Sequence, residues 1–171
     1  MRALTIHPIW LHMITRPAAR GFSPKRVENR TDRNGNAGQP CHHRGPLLLH
    51  ASAKQARREY DDVLRQLVDE GMFPADERPE LKCGGIVAYT TVLGHLRPDG
   101  TAGTVDGELT AARVRKRFDL RWWRGDHALL LGDVEGLPFV GCKGALNTWR
   151  VQPEILAQLE RQLGRTFPAA A

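Results

Sequence analysis

The sequence predicts an α+β fold in which about five short strands form a small β-barrel with helices packed around it. Three observations lead to this prediction. Short apolar segments rich in β-branched residues alternate with glycine and proline turns, three segments have apolar residues at helical spacing, and strands and helices do not alternate regularly. The 171 residues, 41% of them hydrophobic, fit one domain with a substantial core.

Five segments are predicted as strands because they are short, apolar and rich in β-branched or aromatic residues. They are residues 3–6, 46–50, 84–94, 127–134 and 145–151. Residues 97–109 are predicted as a loop with two Asp-Gly turns, and residues 74–79 as a surface loop.

Three helices are predicted from the spacing of apolar residues. The first begins at Pro8 and ends before Pro17. The second follows Ser52, which is expected to cap it, and ends at Gly71. Its apolar residues recur at i, i+3, i+4, i+7 and i+8: Tyr60, Val63, Leu64, Leu67 and Val68. The third begins at Pro153 and ends at Gly164, with Ile155, Leu156, Leu159 and Leu163 on its apolar face.

Residues 1–165 are predicted as a single domain, and residues 166–171 as a flexible C-terminal tail. Residues 16–44 are predicted as a long loop, rich in basic residues, Gly, Asn and Pro, with a turn signal at 34–36. Loops of this length in compact domains are typically functional. The part from 34 to 43 is expected to form a lid.

The net charge of +6 is concentrated at one end of the chain. Residues 1–50 contain eight Lys or Arg and two acidic residues, whereas residues 51–171 contain 17 of each kind. Clustered cations favour a polyanionic partner, because they release counterions from phosphates. A generally basic host proteome is the alternative explanation.

Compartment and membrane association are predicted from cysteine usage and hydropathy. Cys41, Cys83 and Cys142 are too few and too scattered for a disulfide framework, which suits a reducing compartment. The longest stretch without Lys, Arg, Asp or Glu is residues 83–96, which is shorter than the ~18 residues of a membrane span. We therefore expect a cytoplasmic protein with no membrane association and no obligate protein partner.

The segment Lys25-Arg26-Val27-Glu28-Asn29-Arg30 carries the densest functional chemistry. An extended conformation would place Lys25 and Asn29 on the same side as Val27, whereas a tight bend would gather all the polar groups into one cleft. Lys and Arg bind phosphate, Asn pairs with a base, and Glu accepts from an amine or acts as a general base. A solvated loop with Glu–Arg pairing is the alternative.

A second basic run covers residues 113–124 and contains six cations with Phe118 and two tryptophans. This composition suits backbone contacts and base stacking on a nucleic acid. The alternative is an amphipathic helix that buries Val114, Phe118 and Trp122 at i, i+4 and i+8.

No metal site and no cofactor are predicted. Cys41-His42-His43 has no partner pair at metal-binding spacing. His50 and Ser52 are close in sequence but lack a nucleophile elbow and an orienting acid, so His50 is expected to be a packed, hydrogen-bonded residue.

Several short sequence segments, which follow one another in the same order as in the family, resemble the ASCH domain of the PUA-like superfamily. Together they span nearly the whole chain. The most specific are Val-Glu-Asn-Arg at 27–30 and Arg-Gly-Pro-Leu-Leu at 44–48. The others are residues 3–6 with Pro8 and Trp10, 85–88, 127–131, and 142–146 with Trp149. The resemblance implies a PUA-like β-barrel with flanking helices and a cleft where the motif loop meets the barrel.

The resemblance also implies a function, since family members bind RNA or other nucleic acids and some relatives are ribonucleases or hydrolases of acylated cytidine. The deacylating relatives use a Lys, a Thr and a Glu. Lys25 matches the Lys, but Glu28 stands at the Thr position, and Gly21 lies further from Lys25 than is usual in the family.

The sequence thus predicts an ASCH-type module that binds RNA, another nucleic acid or a modified nucleotide in a basic cleft. The expected ligand-binding residues are Trp10, Lys25, Arg26, Glu28, Asn29, Arg30, His50 and Ser52. Lys25 and Arg30 would hold phosphate or a carbonyl, Glu28 and Asn29 would contact a base edge, and Trp10 would stack. The alternative is a small hydrolase with Lys25 and Glu28 as catalytic residues. A scaffold domain without a ligand is the third hypothesis.

Overall fold

The computed structural model describes residues 1–30, 43–54 and 56–168. The strands are β1 (Arg2–Ile6), β2 (Val27–Asn29), β3 (Gly45–Ala51), β4 (Gly85–Leu96), β5 (Ala102–Thr104), β6 (Gly107–Leu109), β7 (Ala128–Gly141) and β8 (Thr148–Arg150). The helices are α1 (Pro8–Thr15), α2 (Arg57–Asp69), α3 (Ala111–Arg117) and α4 (Pro153–Leu163), with a short 3₁₀ turn at Leu120–Trp122.

The strands form one mixed sheet in the order β2-β7-β4-β3-β1-β8, and the β5–β6 hairpin is attached to β4. The pairing of β1 with β3 is parallel and the other pairings are antiparallel. The sheet curls into a half-barrel with the four helices around it, which confirms the predicted α+β class. The sequence predicted a barrel, and the structure contains half of one.

The two longest strands, β4 and β7, account for the curvature. Their pairing has register shifts near Ile86, Thr90 and Val92. Such irregularities bend a strand and increase its twist. Gly94 also permits close packing, because a Cβ there would lie 2.8 Å from the carbonyl oxygen of Gly103.

The core lies on both faces of this sheet. Leu47 and Leu49 belong to an apolar cluster that includes Leu11 and Ile14 of α1. Leu48 belongs to the cluster that includes Leu159 of α4. Successive residues of a strand point to opposite faces, so α1 and α4 pack on opposite sides of the sheet.

The predicted amphipathic helices are confirmed. Helix α2 buries Leu64 and Leu67 and ends before Gly71, whose φ of +65° suits glycine. Helix α4 begins at Pro153 and ends at Gly164 in the left-handed conformation.

Three local predictions are wrong. Residues 97–109 contain the β5–β6 hairpin, and the long loop contains β2. Ser52 does not cap α2, because the helix begins at Arg57 and the Ser52 hydroxyl donates to the carbonyl of Lys54 at 3.3 Å.

The predicted C-terminal tail is described as far as residue 168. Within it, the Phe167 ring packs against Tyr89 with 5.5 Å between ring centroids. In the part of the chain that the structure describes, no helix has the length and apolar character of a membrane span.

Candidate functional site

A cleft of about 280 Å³ opens between α1, the C-terminal end of β1, β2 and the 3₁₀ turn. It is lined by Thr5, Ile6, His7, Trp10, Lys25, Glu28, Asn29, Arg30, Trp122 and Arg124. Five of the eight predicted ligand-binding residues therefore meet here: Trp10, Lys25, Glu28, Asn29 and Arg30.

The motif segment matches neither predicted conformation completely, because Val27–Asn29 are extended in β2 while the Lys25 and Glu28 side chains are in contact. The Lys25 N–H donates to the carbonyl of Met13 in α1 at 2.8 Å, which attaches the residue to that helix. Val27 then pairs with Leu130 and is fully buried. The Lys25 side chain contacts Glu28 and does not share a face with Val27 and Asn29.

The Lys25 ammonium and the Glu28 carboxylate form a buried ion pair at this site. Their side chains are 3% and 10% exposed. Burial lowers the pKa of Lys25; Glu28 opposes this shift, and the positive charges of Arg124 and Arg30 add to it. A lysine that binds its proton less tightly can exchange it with a ligand more readily.

Trp10 borders the ion pair. The Lys25 ammonium lies 5.9 Å from the centroid of its ring, within the range of a cation–π contact. Trp10 is half-buried, so part of its ring is anchored in the core and part faces the cleft.

Asn29 is occupied by structural hydrogen bonds. Its Nδ2 donates to the carbonyl of Trp122 at 2.8 Å, and its Oδ1 accepts from the N–H of Arg124 at 3.0 Å. The side chain therefore fixes the segment after α3, which limits the base-reading role that the sequence predicted for it.

Two arginines stand at the mouth of the cleft. Arg30 donates to Oδ1 of Asn147 at 3.2 Å. Arg124 makes two hydrogen bonds to Glu70, at 3.1 and 2.8 Å. Together with Lys25, they give the lining of the cleft three positively charged side chains and one carboxylate, that of Glu28.

Three predicted site residues lie elsewhere. Arg26 turns away, donates to the carbonyl of Ile14 at 2.6 Å and lines a separate groove. His50 donates through Nε2 to the carbonyl of Cys142 at 3.0 Å and packs edge-on against Trp149. Burial lowers its pKa. The Ser52 hydroxyl donates a hydrogen bond within its own loop, to the carbonyl of Lys54.

The sequence missed several lining residues, of which Thr5 and Arg124 are the most informative. Thr5 accepts a hydrogen bond from the Trp149 indole at 3.0 Å, so Trp149 holds one wall of the cleft. Arg124 comes from the second basic run. Antiparallel pairing of β2 with the start of β7 brings the residues that precede β7 next to Asn29. Knowledge of that pairing would have placed Arg124 beside the motif.

The second basic run follows the amphipathic alternative. Val114, Phe118 and Trp122 are 0%, 7% and 2% exposed, so neither Phe118 nor Trp122 is available for base stacking. The cations of this run are exposed, and Trp123 is half-buried.

Of the predicted lid and the Cys41-His42-His43 segment, only His43 lies within the described residues. Its Nε2 atom lies 3.0 Å from the carbonyl oxygen of Pro46. Among the described residues, no three His, Cys, Asp or Glu side chains are grouped as metal ligands.

No protein-family model matches this chain, and no curated protein matches it. The ASCH resemblance therefore stays a prediction.

Proposed function

We propose that the cleft binds one nucleotide of a nucleic acid, with RNA as the expected partner, in a module of the ASCH type with a PUA-like half-barrel. The observation that carries this proposal is the buried Lys25–Glu28 pair, which lies beside Trp10 in a cleft whose lining has three cations and one carboxylate.

The charge around the cleft suits a phosphate group. Arg30 and Arg124 lie at the mouth, and each presents a planar guanidinium with five N–H donors. Within the described residues Arg30 donates one side-chain hydrogen bond, to Asn147, which leaves other donors for a ligand. Arg124 is more restrained, because Glu70 already takes two of its donors.

The base of the cleft suits a heterocycle. Lys25 is a donor and Glu28 is an acceptor, so together they match a base edge that carries an acceptor next to an amine. The ring of Trp10 offers a stacking surface. A cleft of about 280 Å³ fits one base and is too small for two stacked nucleotides.

Two single substitutions test this proposal by fluorescence anisotropy with labelled single-stranded RNA at ~50 mM salt. Arg30→Gln should weaken binding and flatten the plot of log affinity against log salt by about 0.7, the value for one phosphate contact. Trp10→Leu should weaken binding with little change in that slope. Arg161→Gln, on the exposed face of α4, is the matched control and should leave both quantities unchanged.

RNA that binds equally well to Arg30→Gln, Trp10→Leu and the unaltered protein would place the binding surface elsewhere. Absence of any RNA binding at this salt concentration would rule the proposal out. Thermal melts of both variants separate a loss of contact from a loss of folded protein.

The lowered pKa of Lys25 and its contact with Glu28 favour a second candidate, a small hydrolase. A neutral lysine can act as a general base and Glu28 as an acid or base, on RNA or on an acylated cytidine. Incubation with a mixed RNA pool and with N4-acetylcytidine, followed by mass spectrometry, distinguishes the two functions. Product formation supports the hydrolase, and retention without product supports the binding module.

A further inference from the structure

Helix α3 carries three exposed cations on one face. Arg113, Lys116 and Arg117 occupy positions i, i+3 and i+4, which are neighbours on a helix surface, while Val114 is buried against the core. We call these three residues the α3 basic face.

The charge of this face is not neutralised within the described part of the chain. No carboxylate there lies within 4.0 Å of the three cations. Glu108, just before α3, pairs with Arg97 at 2.6 Å, and Asp119, just after it, pairs with Arg121 at 2.7 Å.

Like charges at this spacing repel one another and destabilise a helix. The helix dipole offsets part of this cost for Lys116 and Arg117, which lie in the last turn. Binding of an anionic partner would offset the remaining repulsion among the three cations.

Arg117 also extends this face into a groove of about 650 Å³, which it lines together with Arg26. Two acidic residues line the same groove, and both have other partners. Asp133 interacts with Arg26, and Glu135 forms an ion pair with Arg165.

A single ordered segment joins the α3 basic face to the cleft. Phe118 and Trp122 anchor it in the core, and Asn29 fixes its far end through the Trp122 carbonyl and the Arg124 N–H. Arg124 itself lines the cleft. Because the cleft fits about one nucleotide, a longer strand needs a second surface for its remaining phosphates.

We propose that the α3 basic face is a second phosphate-binding surface, which holds the backbone of a single-stranded polynucleotide that has one nucleotide in the cleft. This inference rests on the proposed function. The α3 basic face consists of cations alone, Phe118 and Trp122 are buried, and the half-buried Trp123 donates its indole N–H to the carbonyl of Asp126. The contact is therefore with phosphates and is independent of base sequence.

The test compares two triple variants that lose equal charge. Arg113→Gln/Lys116→Gln/Arg117→Gln neutralises the α3 basic face and retains helix propensity. The control variant Arg57→Gln/Arg58→Gln/Arg65→Gln neutralises three arginines on α2, so it loses the same charge. Arg58 and Arg65 lie near Asp62. Both are titrated with a mixed-sequence single-stranded RNA of about 20 nucleotides over a salt series, and with nucleoside monophosphates.

The α3 variant should lose about tenfold or more in RNA affinity at ~50 mM salt, and its salt slope should flatten by about 2, which is three contacts at about 0.7 each. Its binding of nucleoside monophosphates should be unchanged. The α2 variant should bind both ligands like the unaltered protein.

Equal losses in the α3 and α2 variants would overturn the inference, since net charge alone would explain them. An unchanged salt slope in the α3 variant would also overturn it, and if Arg30→Gln still weakened RNA binding, the proposed function would stand. Failure of the unaltered protein to bind RNA would overturn both this inference and the proposed function of the cleft. If the triple variant does not fold, Arg113→Gln and Lys116→Gln apply the same test singly, each with an expected slope change of about 0.7.

Discussion

The side chain of Asn29 holds the backbone of Arg124, which is 95 residues further along the chain, through a 3.0 Å hydrogen bond from the Arg124 N–H to Oδ1. The same amide donates to the carbonyl of Trp122 at 2.8 Å. One side chain of the predicted motif thus connects β2 to the segment that carries both Arg124 and the α3 basic face.

Asn29→Ala should therefore destabilise the protein and also weaken ligand binding. Loss of a half-buried amide that satisfies two backbone groups should cost about 1–3 kcal/mol in the free energy of unfolding. Urea denaturation measures this cost. Gln152→Ala is the control, because Gln152 is exposed and its side chain makes no capping bond. Equal stability of Asn29→Ala and the control would show that the two bonds contribute nothing.

Removal of one partner of the Lys25–Glu28 pair should be severe. Lys25→Met leaves the Glu28 carboxylate buried without a counter-charge, at a cost of about 3–5 kcal/mol. From the sequence, Lys25 was expected to bind a ligand or to act in catalysis, and the buried pair adds a structural role. The double variant Lys25→Met/Glu28→Gln should recover part of the stability, and chemical denaturation measures the coupling.

The exposed pair Arg78–Asp61, at 2.8 Å, is the control for this cycle. Arg78→Met should cost less than about 1 kcal/mol, because solvent screens the pair. Lys25→Met with stability equal to that of Arg78→Met would contradict burial of the ion pair.

Gly144→Ala should disturb the wall of the cleft. A Cβ at this position would lie 2.4 Å from Cε1 of His50 and 2.7 Å from Oγ1 of Thr5, so both side chains would have to move. Overpacking of this kind costs about 1–3 kcal/mol. Gly136→Ala is the matched control, because a Cβ there meets nothing within 4 Å. Thermal melts that do not separate the two variants would contradict the close packing around Gly144.

Stability should fall as the solution is acidified through the histidine range. Burial lowers the pKa of His50 below its ordinary value of 6.5, and burial together with Arg16 lowers the pKa of His12. The unfolded chain therefore binds protons at a higher pH than the folded chain does. The stabilisation is present above about pH 6.5 and decreases as pH falls through the folded pKa values.

Urea midpoints measured between about pH 7 and pH 5 test this prediction. The His12→Gln/His50→Gln variant should show a flatter pH dependence than the unaltered protein, because neither replaced side chain titrates. An identical pH dependence in both proteins would assign the effect to other groups.

Local patterns were sufficient for the elements whose signals lie within one segment. The apolar spacing from Tyr60 to Val68 predicts α2, and the proline and glycine at 153 and 164 bound α4, because both are local properties of the chain. The apolar runs of β3, β4 and β7 are recognisable for the same reason. The three-residue strands β2, β5 and β6 are not, since their pairing partners define them.

The sequence by itself also predicted five of the ten residues that line the cleft, because Trp10, Lys25, Glu28, Asn29 and Arg30 come from two short segments. Tertiary structure decided how they are used. The Met13 carbonyl accepts from the Lys25 N–H beside the Lys25–Glu28 pair, and the pairing of β2 with β7 brings Arg124 to the cleft. These arrangements depend on hydrogen bonds between residues far apart in the chain, and no local periodicity encodes them.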